Sequence, residues 1–365
     1  MFVIVKRVRI RSAGGYEKLE IEEVAAREPA QGEVRIAVEA IGVNFADCIV
    51  RMGLYASAKE YVGWPITPGF EVAGRVDRVG EGVTRHRVGD RVIGLTRFDG
   101  YATSVVVPEH QAFGFPAAWS MEAAAGFAVV FFTADYALSE LAHPRKGASL
   151  LVHSAAGGVG TALLQLARAY ELRAIGVVGA PHKVKVAKEQ GAEHVIDKSS
   201  EDLWAAAERY APKGYDVVLD ANGVETLAGS YEHLRPTGRL VVYGFHTMMR
   251  RGGPGTPSWP KLALDWLRTP RFNPLDLTND NKSVMAFNLS YLFEERALID
   301  EARARLMALA DRGAITPPAT RAFPFDAVAD AHRAIESGTT TGKLVLTVGP
   351  PRADAAGDGS APHSR

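Results

Sequence analysis

A run of small residues after an apolar strand carries the clearest chemical signal in the chain. Leu150-Leu-Val-His-Ser-Ala-Ala-Gly-Gly-Val-Gly160 passes directly into an amphipathic segment. A strand–turn–helix corner of this kind suits a pyrophosphate. Gly157 lets the backbone approach the phosphates, and Gly160 lets helix and strand pack closely. The N–H groups at the helix start, around Gly158 and Val159, face negative charge together with the positive end of the helix dipole. Against the G-x-G-x-x-G fingerprint the aligned triplet is Ala155, Gly157 and Gly160, with alanine in the first glycine position.

A dinucleotide held there must also have its adenosine ribose read. The next strand ends Val177-Val-Gly179-Ala180, without the Asp or Glu that accepts from a ribose 2′-OH in an NAD site. Lys183 opens the following helix and Lys198 follows the third strand. Cations at these positions attract a 2′-phosphate, so the pattern predicts NADP(H).

The elements that must position these groups follow from periodicity. From residue 148 onward strands and helices alternate. Strands are expected at 148–153, 173–178, 194–196, 215–220 and 239–243, with helices at 158–170, 182–190, 201–210 and 224–234. This alternation predicts a doubly wound parallel α/β sheet. The first third is different. Short Val/Ile-rich segments at 34–40, 72–79 and 91–95, punctuated by glycines, predict a compact, barrel-like β domain. The apolar run 126–138 contains Asp135 and reads as a buried helix. Residues 246–282 form an insert rich in Gly, Pro and Trp, in which 261–268 can form an amphipathic helix. Three readings of it stand open: a capping or dimer-edge excursion, a substrate lid, and a membrane or partner contact. An edge strand at 283–289, a helix at 294–310 and a β-rich end at 342–348 follow. The expected division is 1–127 with 301–349 as one discontinuous domain and 128–300 as the nucleotide-binding domain. A tail without periodicity, 350–365, is expected to be disordered.

Composition narrows the function classes. Among 365 residues, 42 Lys+Arg balance 42 Asp+Glu, which argues against nucleic acid as the main partner. A hydrophobic fraction of 47% supports a large core. The single cysteine, Cys48, excludes an intramolecular disulfide and a Cys-rich structural zinc site. No apolar run approaches the length of a membrane span, and the first residues place apolar before basic, the reverse of a signal peptide. A cytoplasmic protein with no integral membrane segment is the expectation.

Several motifs resemble one family. Val43-Asn-Phe-Ala-Asp47 with Arg51-Met-Gly-Leu-Tyr55, the glycine-studded Pro68-Gly-Phe-Glu-Val-Ala-Gly74, Val88-Gly-Asp-Arg-Val92, and Gly147 through Gly160 to Gln165 and Arg168 together are similar to the medium-chain dehydrogenase/reductase superfamily. The resemblance is to its zinc-independent quinone oxidoreductase (zeta-crystallin-like) branch. Residues 271–292 resemble the subgroup of vesicle amine transport protein homologues. The resemblance implies a GroES-like β-barrel-type catalytic domain beside a Rossmann domain. It implies that Asn44 touches the nicotinamide ribose or the substrate, and that Tyr55 bonds a substrate oxygen. Asp47 either orients Asn44 or a cofactor hydroxyl, or pairs with Arg51. Thr133, Tyr243, Gly244, Phe287, Asn288 and Leu289 match positions around the nicotinamide. Lys343 either reaches the cofactor from the returning segment or is a solvated strand lysine. Ile49 stands where the branch carries another tyrosine.

Zinc-dependent members place Cys where this chain has Asn44 and His where it has Phe70, and neither replacement can ligate tetrahedral zinc. No metal is therefore expected. The implied chemistry is hydride transfer from NADPH to an already electrophilic small molecule, a quinone or an α,β-unsaturated carbonyl (enone), by a homodimer. A non-catalytic NADPH-binding protein acting through membrane or protein contact is the alternative.

Overall fold

The computed structural model describes residues 3–250 and 252–349. The expected tail, 350–365, lies outside the described residues, as does Arg251 of the insert. Among the described residues, no helix is long and apolar enough to cross a membrane.

Among the described residues, fifteen strands fall into three sheets. Ile4–Arg9 (β1) and Glu20–Ala25 (β2) form an antiparallel pair. Glu33–Val43 (β3), Glu71–Val79 (β4), Arg91–Leu95 (β5), Ser104–Pro108 (β6) and Ala112–Phe113 (β7) build most of a seven-stranded sheet. Ser149–Val152 (β8), Arg173–Val178 (β9), His194–Asp197 (β10), Tyr215–Asp220 (β11), Leu234–Val242 (β12) and Ser283–Ala286 (β13) form a parallel sheet in the order β10-β9-β8-β11-β12-β13. Thr320–Pro324 (β14) and Lys343–Thr347 (β15) then return to the first large sheet, where β15 pairs antiparallel with β3.

The helices, in chain order, are Phe45–Arg51 (α1), Ala56–Tyr61 (α2), Met121–Ala125 (α3), Ala128–Asp135 (α4), Gly158–Ala169 (α5), His182–Gln190 (α6), Leu203–Tyr210 (α7), Leu227–Glu232 (α8), Trp259–Arg268 (α9), Pro274–Asp280 (α10), Arg296–Asp311 (α11) and Val328–Glu336 (α12). The α4 segment is buried, as its unbroken apolar sequence requires. Its one carboxylate, Asp135, is fully buried and is neutralised by Arg305 of α11 at 2.7 Å.

Several expected boundaries move by a few residues, and three do so for a clear local reason. The helix expected at 224–234 is only Leu227–Glu232. Gly223 has φ +89°, Thr226 donates to Asp220, and Leu234 is already paired with Tyr215 in the sheet. The strand expected at 283–289 stops at Ala286, because the Asn288 side chain accepts from the Ser290 N–H and turns the chain into a short 3-10 helix. The helix expected from 201 starts at Leu203, capped by Asp202.

Register sets the site. Leu344 faces Val43 across β15 and β3, and Val72 faces Ile41 across β4 and β3. One step further along each strand lie Lys343, Asn44 and Glu71, so three strand ends separated widely in sequence converge at one point. In the parallel sheet, β8 and β11 are neighbours whose following helices, α5 and α8, sit on either side of a topological switch. Ligands of doubly wound sheets bind in the crevice at such a point.

Candidate active site

A cavity of about 1030 Å³ opens between the two large sheets. Its walls come from the start of α1, the glycine turn, the ends of β9, β12 and β13, the insert, and the 338–344 segment. At the turn, a Cβ on Gly157 would meet only the Ser154 carbonyl, at 3.4 Å, so this residue leaves the cavity wall open. A Cβ on Gly160 would lie 2.3 Å from the same carbonyl, and one on Gly158 would lie 2.8 Å from Val130 Cγ1. Those two glycines therefore serve close packing as well as lining the cavity. Ala155 does not line it. Its side chain is fully buried against Gly176, and its N–H donates to the Val177 carbonyl. The expected cofactor contact at Ala155 is thus corrected to a packing position beneath the turn. Ser154, which the fingerprint does not single out, lines the cavity and donates to Asn222 at 2.9 Å.

Gly179, Lys183 and Lys198 line the same cavity beyond the turn. Lys183 Nζ donates to the Gly338 carbonyl, and His182 bonds the Thr339 carbonyl at 3.0 Å, so the start of α6 touches the returning segment.

At the other end, Lys343 Nζ donates to Asn44 Oδ1 and, at 2.6 Å, to Glu71 Oε1. Asn44 Nδ2 donates to the same Glu71 oxygen at 3.2 Å, and the Val129 N–H donates to Oε2 at 2.8 Å. Lys343 and Glu71 are both buried, so Lys343 is no solvated strand lysine. The Asn44 amide is held at both ends, which fixes its orientation at the cavity wall. Glu71 was overlooked in the sequence. Its signal is a lone acid inside the apolar run Phe70-Glu-Val-Ala, a place where a charge must be paired.

Asp47 is fully buried and does not line the cavity. Its carboxylate accepts from the N–H groups of Asn44 (2.8 Å) and Gly69 (3.0 Å) and from the Tyr101 hydroxyl (3.1 Å). It therefore orients Asn44 from behind, and the expected alternative of pairing with Arg51 is not formed. Burial pushes its pKa up to about 7 against the pull of these donors and of Lys343. Arg51 pairs instead with Glu336 at 2.8 Å, and also donates to His332 Nδ1 and the Gly255 carbonyl.

Tyr55 is half-buried at the cavity wall, and its hydroxyl donates to Asn288 Oδ1 at 2.8 Å. Burial raises its pKa. Its proton is thus engaged across the cleft. Thr133 lines the cavity while its hydroxyl donates to the Val129 carbonyl, four residues back. Tyr243, Gly244, Phe287 and Leu289 line the wall between them. The Tyr243 hydroxyl is buried without a partner among the described residues, and burial raises its pKa.

The insert also lines the cavity, through Met248, Met249, Trp259, Leu262 and Trp266 among others. Part of this segment therefore forms a wall of the cavity.

Residues 30–121 match the family model "Alcohol dehydrogenase GroES-like domain", and residues 190–346 match "Zinc-binding dehydrogenase". The rat synaptic vesicle membrane protein VAT-1 homolog is 38% identical over 339 residues, 92% of this chain and 82% of that protein. Human quinone oxidoreductase is 30% identical over 94% of this chain and 98% of its own length. The chain belongs to the medium-chain dehydrogenase/reductase family, in its quinone oxidoreductase-like branch. The crystal structure of Escherichia coli quinone oxidoreductase complexed with NADPH superposes with a TM-score of 0.81 at 29% identity, covering 94% of this chain and all of that one.

The zinc implied by the second family description does not fit the donors at the cleft. Asn44 and Glu71 are engaged with Lys343, and Phe70 packs against Tyr55 and Phe98. Behind the Asn44 wall, the buried Cys48, His332 and Glu336 converge within 4.8 Å. There the Arg51 guanidinium already stands as the cation for His332 and Glu336.

Proposed function

We propose that this protein is an NADPH-dependent oxidoreductase that reduces a quinone or an α,β-unsaturated carbonyl without a metal. The observation that carries the reading is the cavity itself. One wall is a glycine turn left open at Gly157, with Lys183 and Lys198 beyond it. The other is an apolar chamber whose polar groups offer no zinc donor set. The turn fits a pyrophosphate, since a side chain at Gly157 would occupy the space the phosphates need and the α5 N–H groups start there. Lys183 and Lys198 would hold the 2′-phosphate.

Bound NADPH supplies hydride. A quinone that gains this hydride and one proton from water becomes the hydroquinone as NADPH becomes NADP⁺. Asn44, clamped by Lys343 and Glu71, holds its amide against the ribose or the acceptor. Phe70, Phe45 and Leu54 exclude water from the acceptor's face. Because the Tyr55 proton is engaged with Asn288, Tyr55 positions the acceptor by van der Waals contact, and solvent supplies the proton. A cytoplasmic location and a homodimer that pairs two copies through the edge strand β13 belong to this reading.

The test is NADPH consumption with a panel of quinones, enones and simple alcohols or aldehydes, with and without a zinc chelator. Turnover of quinones or enones that is indifferent to chelator is expected. Chelator-sensitive turnover of simple aldehydes would overturn it. One observation favours a second reading, an NADPH-binding protein acting through contact. Leu264, Leu267 and Leu275 are exposed on the insert near Arg268 and Arg271. Tight NADPH binding with no turnover, together with liposome binding that is lost when the insert is shortened, would select it.

A further inference from the structure

We infer that α9 is a specificity wall, and that the preferred acceptor carries an extended apolar chain, alkyl or prenyl, beyond its electrophilic head. The inference rests on the reductase reading above and adds the substrate class. Trp259, Leu262, Ala263 and Trp266 are spaced i, i+3, i+4, i+7, the pattern by which a helix normally buries one stripe in a core. All four line the cavity. Yet Trp259 and Trp266 are 67% and 65% exposed, so the stripe faces open cavity where a core helix would meet packed side chains.

The wall is fixed in place. Lys261 donates to the Thr247 carbonyl at 2.7 Å and pairs with the buried Asp265. Thr247 in turn donates to the Asn222 carbonyl at 2.6 Å. Further along the insert, the Gly252 N–H donates to the Glu336 carbonyl, and Arg51 donates to the Gly255 carbonyl. The first half of the insert is thus tied both to the loop after β11 and to α1 and α12.

The wall also continues from the reacting end of the cavity. The His246 ring lies edge-on to Phe45, 6.1 Å between centroids, and Phe45 adjoins Asn44. Met248 and Met249 follow His246 along the lining, and methionines adapt their shape to a flexible chain. The carboxylate of Glu336, which also lines the cavity, is engaged by Arg51 and Tyr16. An acceptor with its head beside Asn44 and Tyr55 therefore has an apolar track along Phe45, Met248 and Met249 toward Trp266.

The experiment compares 1,4-benzoquinone with its 2-butyl and 2-decyl derivatives, with NADPH as donor. Each buried methylene is worth about fourfold in binding. With part of the chain in contact, kcat/KM for the decyl compound should exceed that for the unsubstituted quinone by about 10- to 100-fold. Trp266→Ala and Leu262→Ala should each lower this ratio by about tenfold, and Trp266→Phe should restore most of it. A wild-type ratio near one, or a ratio unchanged in both alanine variants, overturns the inference. Binding of redox-inert 2-decyl-1,4-dimethoxybenzene, measured by calorimetry against 1,4-dimethoxybenzene, separates the two readings. Tail-dependent binding without turnover of any quinone supports the wall and overturns the reductase. Turnover without tail dependence does the opposite.

Discussion

Lys343 and Glu71, 272 residues apart in the chain, meet at 2.6 Å beside the cavity, with Asn44 bonded to both. Removing one member of such a pair strands a buried charge, which costs about 3–5 kcal/mol. Lys343→Met and Glu71→Gln should each destabilise the protein on that scale. The double variant should lose clearly less than the sum, because no unpaired charge remains. Denaturant unfolding of the four proteins checks this, and strict additivity would show that the pair is not coupled.

In the function proposed above, cofactor selection rests on Lys183 and Lys198, which line the cavity. A charge-assisted hydrogen bond contributes about 1.5–3 kcal/mol, or roughly 10- to 100-fold in affinity. Lys183→Ala and Lys198→Ala should each weaken NADPH by that order while changing NADH much less. Dissociation constants for both nucleotides, from fluorescence titration, decide it. Equal losses for the two nucleotides would remove these lysines from the 2′-phosphate.

Tyr55 and Asn288 share one bond across the cleft. Tyr55→Phe and Asn288→Ala should each lower kcat/KM, by about fivefold for a neutral hydrogen bond. The double variant should be no worse than Asn288→Ala alone. Independent, multiplying losses would mean that the two side chains act separately.

Asp47 predicts a pH dependence of stability. Its folded-state pKa is raised to about 7 by burial, from an ordinary value of 3.8. Between those values the native state keeps a proton that the unfolded chain has released, so raising the pH favours unfolding. The contribution of Asp47 to stability should therefore fall from about pH 4 to about pH 7, by an amount on the order of 4 kcal/mol. Asp47→Asn cannot titrate. Its stability relative to the native sequence should improve across that window, as chemical denaturation at several pH values will show. A constant difference would mean that Asp47 stays ionised throughout.

Much of this architecture was legible from periodicity, since strand–helix alternation and the Gly157–Gly160 turn are local patterns. The parallel order around β8 follows from the right-handed connections such units make. What escaped was long-range. Ala155 stood in a fingerprint position, yet its role depends on Gly176 lying behind it, which no spacing reveals. Asp47 and Arg51 sit four apart on one helix, a spacing that invites pairing. The structure sends one to backbone donors and the other to Glu336, on a helix near the far end of the chain. Glu71 stands out locally as an acid in an apolar run, but its partner could not be named, because Lys343 arrives only when β15 docks. The insert's stripe was visible as an amphipathic helix, but a helical wheel does not say whether its apolar face meets a core or a void.

The docking of β15 against β3 has a further consequence, for how the molecule is made. Strand β3 leaves the ribosome some three hundred residues before the strand that completes its sheet. Until then the side of β3 that β15 will cover is paired only at residues 33–37, with β6, the end from 40 to 43 stays open, and Glu71 waits inside apolar surroundings without its ammonium partner. Pairing at such long range is slow, and domains emerge from synthesis in order from the N-terminus. The parallel sheet is therefore free to assemble before the sheet that precedes it in sequence, and the arrival of Lys343 is the event that closes both the fold and the cavity.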